Sequence, residues 1–208
     1  MLSLSLVAPD SAQMHATMGH EDAHQGNDAA AIAQYRQALS IDPRLPGADF
    51  ELAELLRKAP DAAQRADAVK MFQEALKVNP FDEKASCELG DIALEKGDFN
   101  QAQADYSQAL KLQPSDPIAN FGMAKTLIAL NDPVHATSML EKAIQFDPTN
   151  ASAHYRLAML FRKQGRTADA RAQLEDYQRL YELRKKLDIL YREMRLPLQP
   201  QSEAKDIK

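Results

Sequence analysis

Residues Lys84–Pro114 read KASCELGDIALEKGDFNQAQADYSQALKLQP. Apolar or small residues at Cys87, Leu89, Gly90, Ile92 and Ala93 recur at helical spacing, so the first half predicts a helix with one buried face. Lys96-Gly97-Asp98 interrupts the pattern. Gly97 can take the positive φ that ends a helix, and Asp98 can accept hydrogen bonds from the first amides of the next. Phe99, Ala102, Tyr106, Ala109, Leu110 and Leu112 supply the stripe of that second helix, and Pro114 stops it. One such hairpin cannot cover both of its apolar faces, so it has to stack on copies of itself.

The copies are present. Pro9, Pro43, Pro80, Pro114 and Pro148 follow one another at intervals of 34, 37, 34 and 34 residues. Twelve positions before a proline stand Ala31, Ala68, Ala102 and Ala136; eight before, Tyr35, Phe72, Tyr106 and Leu140; five before, Ala38, Ala75, Ala109 and Ala143. In each first helix a large apolar residue precedes a small one: Met18-Gly19, Leu52-Ala53, Leu89-Gly90, Met123-Ala124 and Leu157-Ala158. Small residues suit a point where two helices cross, since a longer side chain holds the axes apart.

This pattern resembles the tetratricopeptide repeat (TPR), a helix-turn-helix of about 34 residues that stacks in arrays. The Trp common near the start of the family's repeat is missing; His15, Asp49, Ser86, Asn120 and His154 stand there. The resemblance implies an all-α fold, a right-handed superhelical array of five repeats with an extended C-terminal capping helix. The expected divisions are 12–45, 46–82, 83–116, 117–150 and 151–196, the last including the cap. Residues 1–11 read as the end of a truncated preceding repeat, because Val7 and Pro9 keep the register, and 197–208 read as a disordered tail.

Composition narrows the function. The chain has 208 residues, 45% of them apolar, a net charge of -5, seven Gly and one Cys. That suffices for a core without disulfides and argues against a nucleic-acid partner, which calls for a basic excess. No apolar run reaches the ~18–20 residues of a membrane span. No P-loop, GxGxxG, CxxC or HExxH motif is present, so neither an enzyme nor a bound cofactor is expected. His20 and His24 share a helical face, but a lone pair is a weak metal signal, and no metal site is expected.

The repeats depart from regularity at three places. Asp22 occupies the packing position held elsewhere by Leu56, Ala93, Leu127 and Phe161, which predicts a loosely held first helix. Three extra residues fall in Ala59–Arg65, where Pro60-Asp61 suggests a longer turn. The last helix lacks its terminal proline and is expected to run from about Thr167 to Arg195, about 45 Å at 1.5 Å per residue. Leu174, Tyr177 and Tyr181 should pack back on the fifth repeat, leaving Leu187 to Met194 partly exposed on a monomer. A dimer through the 3-4 spaced leucines of that helix is the alternative.

In the family the first helices line a concave face, and residues two before and two after the large member of the pair project into it. The resemblance then places a peptide-binding groove at Phe50, Glu54, Cys87, Asp91, Phe121, Lys125, Tyr155 and Met159, with Arg57, Leu94, Ile128 and Arg162 one turn on. The family's two-carboxylate clamp needs Lys and Asn where Ala16 and His20 stand, and a Lys–Arg pair where Lys84 is followed by Glu88, so a chaperone-tail receptor is not expected. The function expected is a non-catalytic scaffold holding a peptide or helix of a protein partner. The alternative is a regulatory or assembly domain of a longer polypeptide whose catalytic or anchoring part lies elsewhere.

Overall fold

A computed structural model describes residues 11–194, which form ten α-helices and no strand. The segments expected to be the end of a preceding repeat, up to residue 10, and a disordered tail from Pro197 lie outside the described residues. In chain order the helices are α1 (Ala12–His24), α2 (Asp28–Ile41), α3 (Ala48–Lys58), α4 (Ala62–Val78), α5 (Glu83–Glu95), α6 (Phe99–Leu112), α7 (Pro117–Ala129), α8 (Pro133–Phe146), α9 (Ala151–Lys163) and α10 (Thr167–Glu193). The chain divides between Lys96 and Gly97 into two compact units, one holding α1–α5 and the other α6–α10.

Local chemistry sets these boundaries. Gly26, Gly97 and Gly165 turn the chain with φ of 78°, 77° and 76°, and Asn131 does so with φ 59°. Asp98 Oδ1 accepts from the Gln101 amide at 3.1 Å, Asp116 Oδ1 from Ala119 at 2.7 Å and Asp132 Oδ1 from His135 at 3.2 Å. Pro117 and Pro133 then occupy first-turn positions where no amide hydrogen is needed. The expected stop at Gly97 and cap at Asp98 are both observed.

The insertion behaves differently from expectation. The turn Ala59-Pro60-Asp61 is no longer than its counterparts; instead α4 has 17 residues where α2, α6 and α8 have 14, and α3 has only 11. Pro60 keeps Ala59 out of the helical region and ends α3 six residues after Leu52, the place where α5 ends after Leu89; α3 is short because it starts late, after Gly47 with φ 81°. Asp61 then caps Ala63 and Gln64, and Arg65 Nη1 donates to the Ala59 and Pro60 carbonyls at 2.8 and 2.6 Å. The break keeps its place in the repeat, and the surplus residues have been wound into the start of α4.

In the first unit Tyr35, Leu52, Leu56, Phe72, Leu89 and Ile92 form the core. In the second, Tyr106, Met123, Leu127, Leu140, Leu157 and Phe161 are buried. The alanines of the repeat pattern are buried in both, among them Ala31, Ala68, Ala102 and Ala136. Three of the five positions where the resembled repeat commonly has Trp are used for polar anchoring. Asn120 Nδ2 donates to the Pro114 and Asp116 carbonyls at 3.0 and 2.7 Å. His154 Nδ1 lies 2.8 Å from Gln173 Oε1 and its Nε2 3.2 Å from the Pro148 carbonyl, while His15 repeats the first contact with Gln34 at 2.7 Å. These side chains tie α1, α7 and α9 to the preceding loop or to their own second helix.

Candidate functional site

Helical spacing aligns the expected groove residues in sets of three. Phe50, Glu54 and Arg57 follow one another along one face of α3, and Cys87, Asp91 and Leu94 repeat the spacing on α5. In the first unit Arg57 joins the two helices: its Nη1 stands 3.0 Å from Glu88 Oε2, and its Nη2 donates to Glu95 Oε1 at 3.4 Å. Lys58 Nζ pairs with Glu54 Oε2 at 3.2 Å. Glu54 Oε1 and Arg57 Nε are buried without a hydrogen-bond partner among the described residues. Burial pushes the Glu88 carboxyl up to about 7; Arg57 pulls it back, and Glu54 and Asp91 push it further up.

Two members of that set offer a ligand little. The Phe50 ring packs edge-on against Phe72 of α4, with centroids 5.6 Å apart, and Cys87 is buried. Leu94 and Asp91 are half-buried. On the opposite side of α3 lies a cleft of about 420 Å³, lined by Arg36, Leu39, Leu52, Leu56, Asp67 and Met71.

In the second unit Phe121, Lys125 and Ile128 share a face of α7, and Tyr155, Met159 and Arg162 share one of α9. The Phe121 ring lies beneath two cations, Lys125 Nζ at 5.3 Å from its centroid and Arg156 Cζ at 5.8 Å. Tyr155 stacks at 5.3 Å on Tyr177 of α10. Phe121, Ile128, Tyr155 and Met159 are all half-buried, and Arg162 is exposed. Arg156 was not among the expected residues. Its signal was a cation next to an expected aromatic, one helical step outside the two-before, two-after rule.

The two faces differ in charge. Among the expected groove residues, Glu54 and Asp91 stand with Arg57 on α3 and α5, whereas Lys125 and Arg162 stand with no carboxylate on α7 and α9. The first unit's face therefore suits basic groups and the second unit's face acidic ones.

Elsewhere, His20 and His24 have their Nε2 atoms 3.1 Å apart on the exposed side of α1. Among the described residues no group of three His, Cys, Asp or Glu is placed to hold a metal ion. No described helix is long and apolar enough to cross a membrane. Tyr177 packs against Tyr155 of α9 as expected and Leu174 is half-buried, but Tyr181 is 56% exposed. Tyr177 already meets Tyr155 in the second turn of α9, so one turn further α10 has run past the start of its neighbour.

Four profiles of one family match this pattern of paired helices: "Tetratricopeptide repeat" over residues 12–45, 61–99 and 139–172, and "TPR repeat" over 90–131. The chain belongs to the tetratricopeptide-repeat family. It is 26% identical over 145 residues to anaphase-promoting complex subunit 3 of Schizosaccharomyces pombe, a match covering 70% of this chain and 21% of that protein. Its fold resembles a solved structure titled "MamA RS-1 ArsTM double mutant", with a TM-score of 0.75 at 16% identity over 85% of this chain and 98% of that one. It also resembles YrrB, described as a TPR protein with an unusual peptide-binding site, with a TM-score of 0.68 at 18% identity over 83% and 88% of the two chains. At such identities the structural likeness shows the fold alone. The chain spans about a fifth of the Schizosaccharomyces relative. TPR proteins are protein-interaction scaffolds, and no enzyme family is indicated here.

Proposed function

We propose that this TPR chain is a non-catalytic scaffold that holds a peptide or helix of a partner protein against the faces of its first helices. The observation that carries the reading is Phe121. Its ring, with Ile128, Tyr155 and Met159, stays half-buried on helices whose other faces already pack the core. Apolar groups gathered on a face with cations at its margin are what an anchor side chain of a partner needs. In the first unit, the unpartnered Glu54 Oε1 and Arg57 Nε give a ligand polar groups to satisfy. The peptide-binding site named for YrrB belongs to that protein and supports the reading by analogy of fold.

Burying an aliphatic or aromatic anchor contributes about 1.5–3 kcal/mol before ordering costs, so micromolar affinity is expected. The test is selection of random 12-residue peptides on the folded protein, followed by titration of the enriched sequences. Phe121→Ala and Tyr155→Ala should each weaken binding at least about tenfold, the equivalent of 1.4 kcal/mol, without unfolding the chain. Enriched peptides that bind both variants as tightly as the parent would move the site away from this face.

A further inference from the structure

From the C-terminal half of α10 we infer a second docking surface, independent of the first-helix faces, whose occupant is a partner's amphipathic helix with acidic edges. Leu180, Leu183, Leu187, Leu190 and Met194 follow one another at alternating steps of three and four, the spacing of a helix–helix seam. Leu187 is 42% exposed and Leu190 49% exposed. The seam does not continue the face that packs on α9. That face is marked by buried Ala170, by Gln173 bonded to His154 and by Tyr177 stacked on Tyr155. At 3.6 residues per turn, the leucine seam lies about 90° round the helix from it.

The charges beside the seam decide between occupants. Arg179, Lys186 and Glu193 border one edge, one residue before Leu180, Leu187 and Met194, and Arg184 borders the other, one residue after Leu183. Arg179 bonds Asp176 at 2.7 Å and Arg184 approaches Asp188 at 3.9 Å, exposed pairs weak enough for a partner's carboxylate to replace. From 179 to 194 there are five cations and three carboxylates, in a chain whose net charge is -5. In a parallel pair with a second copy, Arg179 would meet the copy's Arg184. In an antiparallel pair, Lys186 would meet the copy's Lys186 and Arg184 its Arg184, with Arg179 and Glu193 opposed nearer the ends. Both arrangements set cation against cation. A helix with Leu or Ile at the seam and Glu or Asp along its edges meets the same surface with opposite charge.

The test uses two synthetic 21-residue peptides with the same leucine–isoleucine seam, one with Glu at every edge position and one with Lys. Repulsion between its own edges keeps each from pairing with itself. Titrated into the whole chain at physiological salt, the Glu peptide should bind at least tenfold more tightly than the Lys peptide. Leu187→Glu should abolish that binding, and the double substitution Arg184→Glu, Lys186→Glu should reverse the preference. Phe121→Ala should leave it unchanged, which separates this surface from the groove. Equal binding of the two peptides, or binding of neither, overturns the proposal. So does a dimer of the protein alone, seen by sedimentation and dissociated by Leu187→Glu, since the occupant would then be a second copy.

Discussion

A β-carbon at Gly122 of α7 would overlap Cε1 and Cζ of Tyr106 on α6 and come within 2.6 Å of its hydroxyl oxygen. The Tyr106 ring is fully buried, so it has nowhere to retreat. Glycine is required here for closeness of approach, not for turn geometry. Gly122→Ala should therefore cost about 1–3 kcal/mol, the range for overpacking a filled core. Urea unfolding would measure it. Tyr106→Leu in the same chain should relieve part of the loss, giving a favourable coupling energy, and strictly additive penalties would contradict direct contact.

Glu88 makes stability depend on pH in an unusual direction. Its carboxyl has an ordinary value of 4.5 and is held at about 7 in the fold, by burial first and then by Glu54 and Asp91, against the pull of Arg57. Between these values the folded chain keeps a proton that the unfolded chain has lost, so this group's contribution falls as pH rises from about 4.5 to 7. With its side chain 23% exposed, solvent tempers the effect to about 1–2 kcal/mol. Glu88→Gln should flatten this part of the profile, and Arg57 would keep Glu95 as a partner. Urea unfolding at pH 5 and pH 8 reads it directly; an unchanged profile would remove Glu88 as the cause.

Much of this was legible in the sequence because one periodic constraint wrote it repeatedly. The small residues at helix crossings, the glycine turns and the aspartate caps all follow from packing one hairpin on the next, so their spacing alone located α2 to α10 closely. What failed to show were features set by particular partners in space. Gly122 lies one residue before the recognised Met123-Ala124 pair, and only the position of Tyr106 explains it. The shift of surplus residues into α4 depends on Asp61 and Arg65 holding an early helix start. The groove rule picked Phe121 and Tyr155 but passed over Arg156, which reaches the Phe121 ring from another helix.

The first helix should open most easily. In α1 only Ala12 and Gly19 are buried, whereas seven residues of α5 are, from Ala85 to Ala93. Asp22, at a position that buries Leu56 and Leu127 in other repeats, remains half-exposed. With so little apolar area holding it, local opening of α1 needs far less free energy than opening of α5. Hydrogen exchange should show residues 12–24 losing protection before 85–93. Asp22→Leu should slow exchange in α1; protection already equal in the two helices would contradict the account.

The charges and the rings of the second unit's face should act on different steps of binding. Arg162 is exposed at the margin, where solvent and salt screen it and where its field acts on an approaching partner. Phe121 and Tyr155 are half-buried, and contacts to them form only after docking. For a peptide with acidic flanks and one aromatic anchor, Arg162→Glu should therefore slow association several-fold at low salt. Most of that difference should vanish near 0.5 M salt, where the screening length is about 4–5 Å. Phe121→Ala should mainly speed dissociation, with little sensitivity to salt, because burial of apolar surface is not screened. Stopped-flow fluorescence at two salt concentrations separates the effects. If Arg162→Glu altered dissociation alone, the residue would belong inside the bound contact. If Phe121→Ala altered only association, the ring would not be the surface on which the anchor rests.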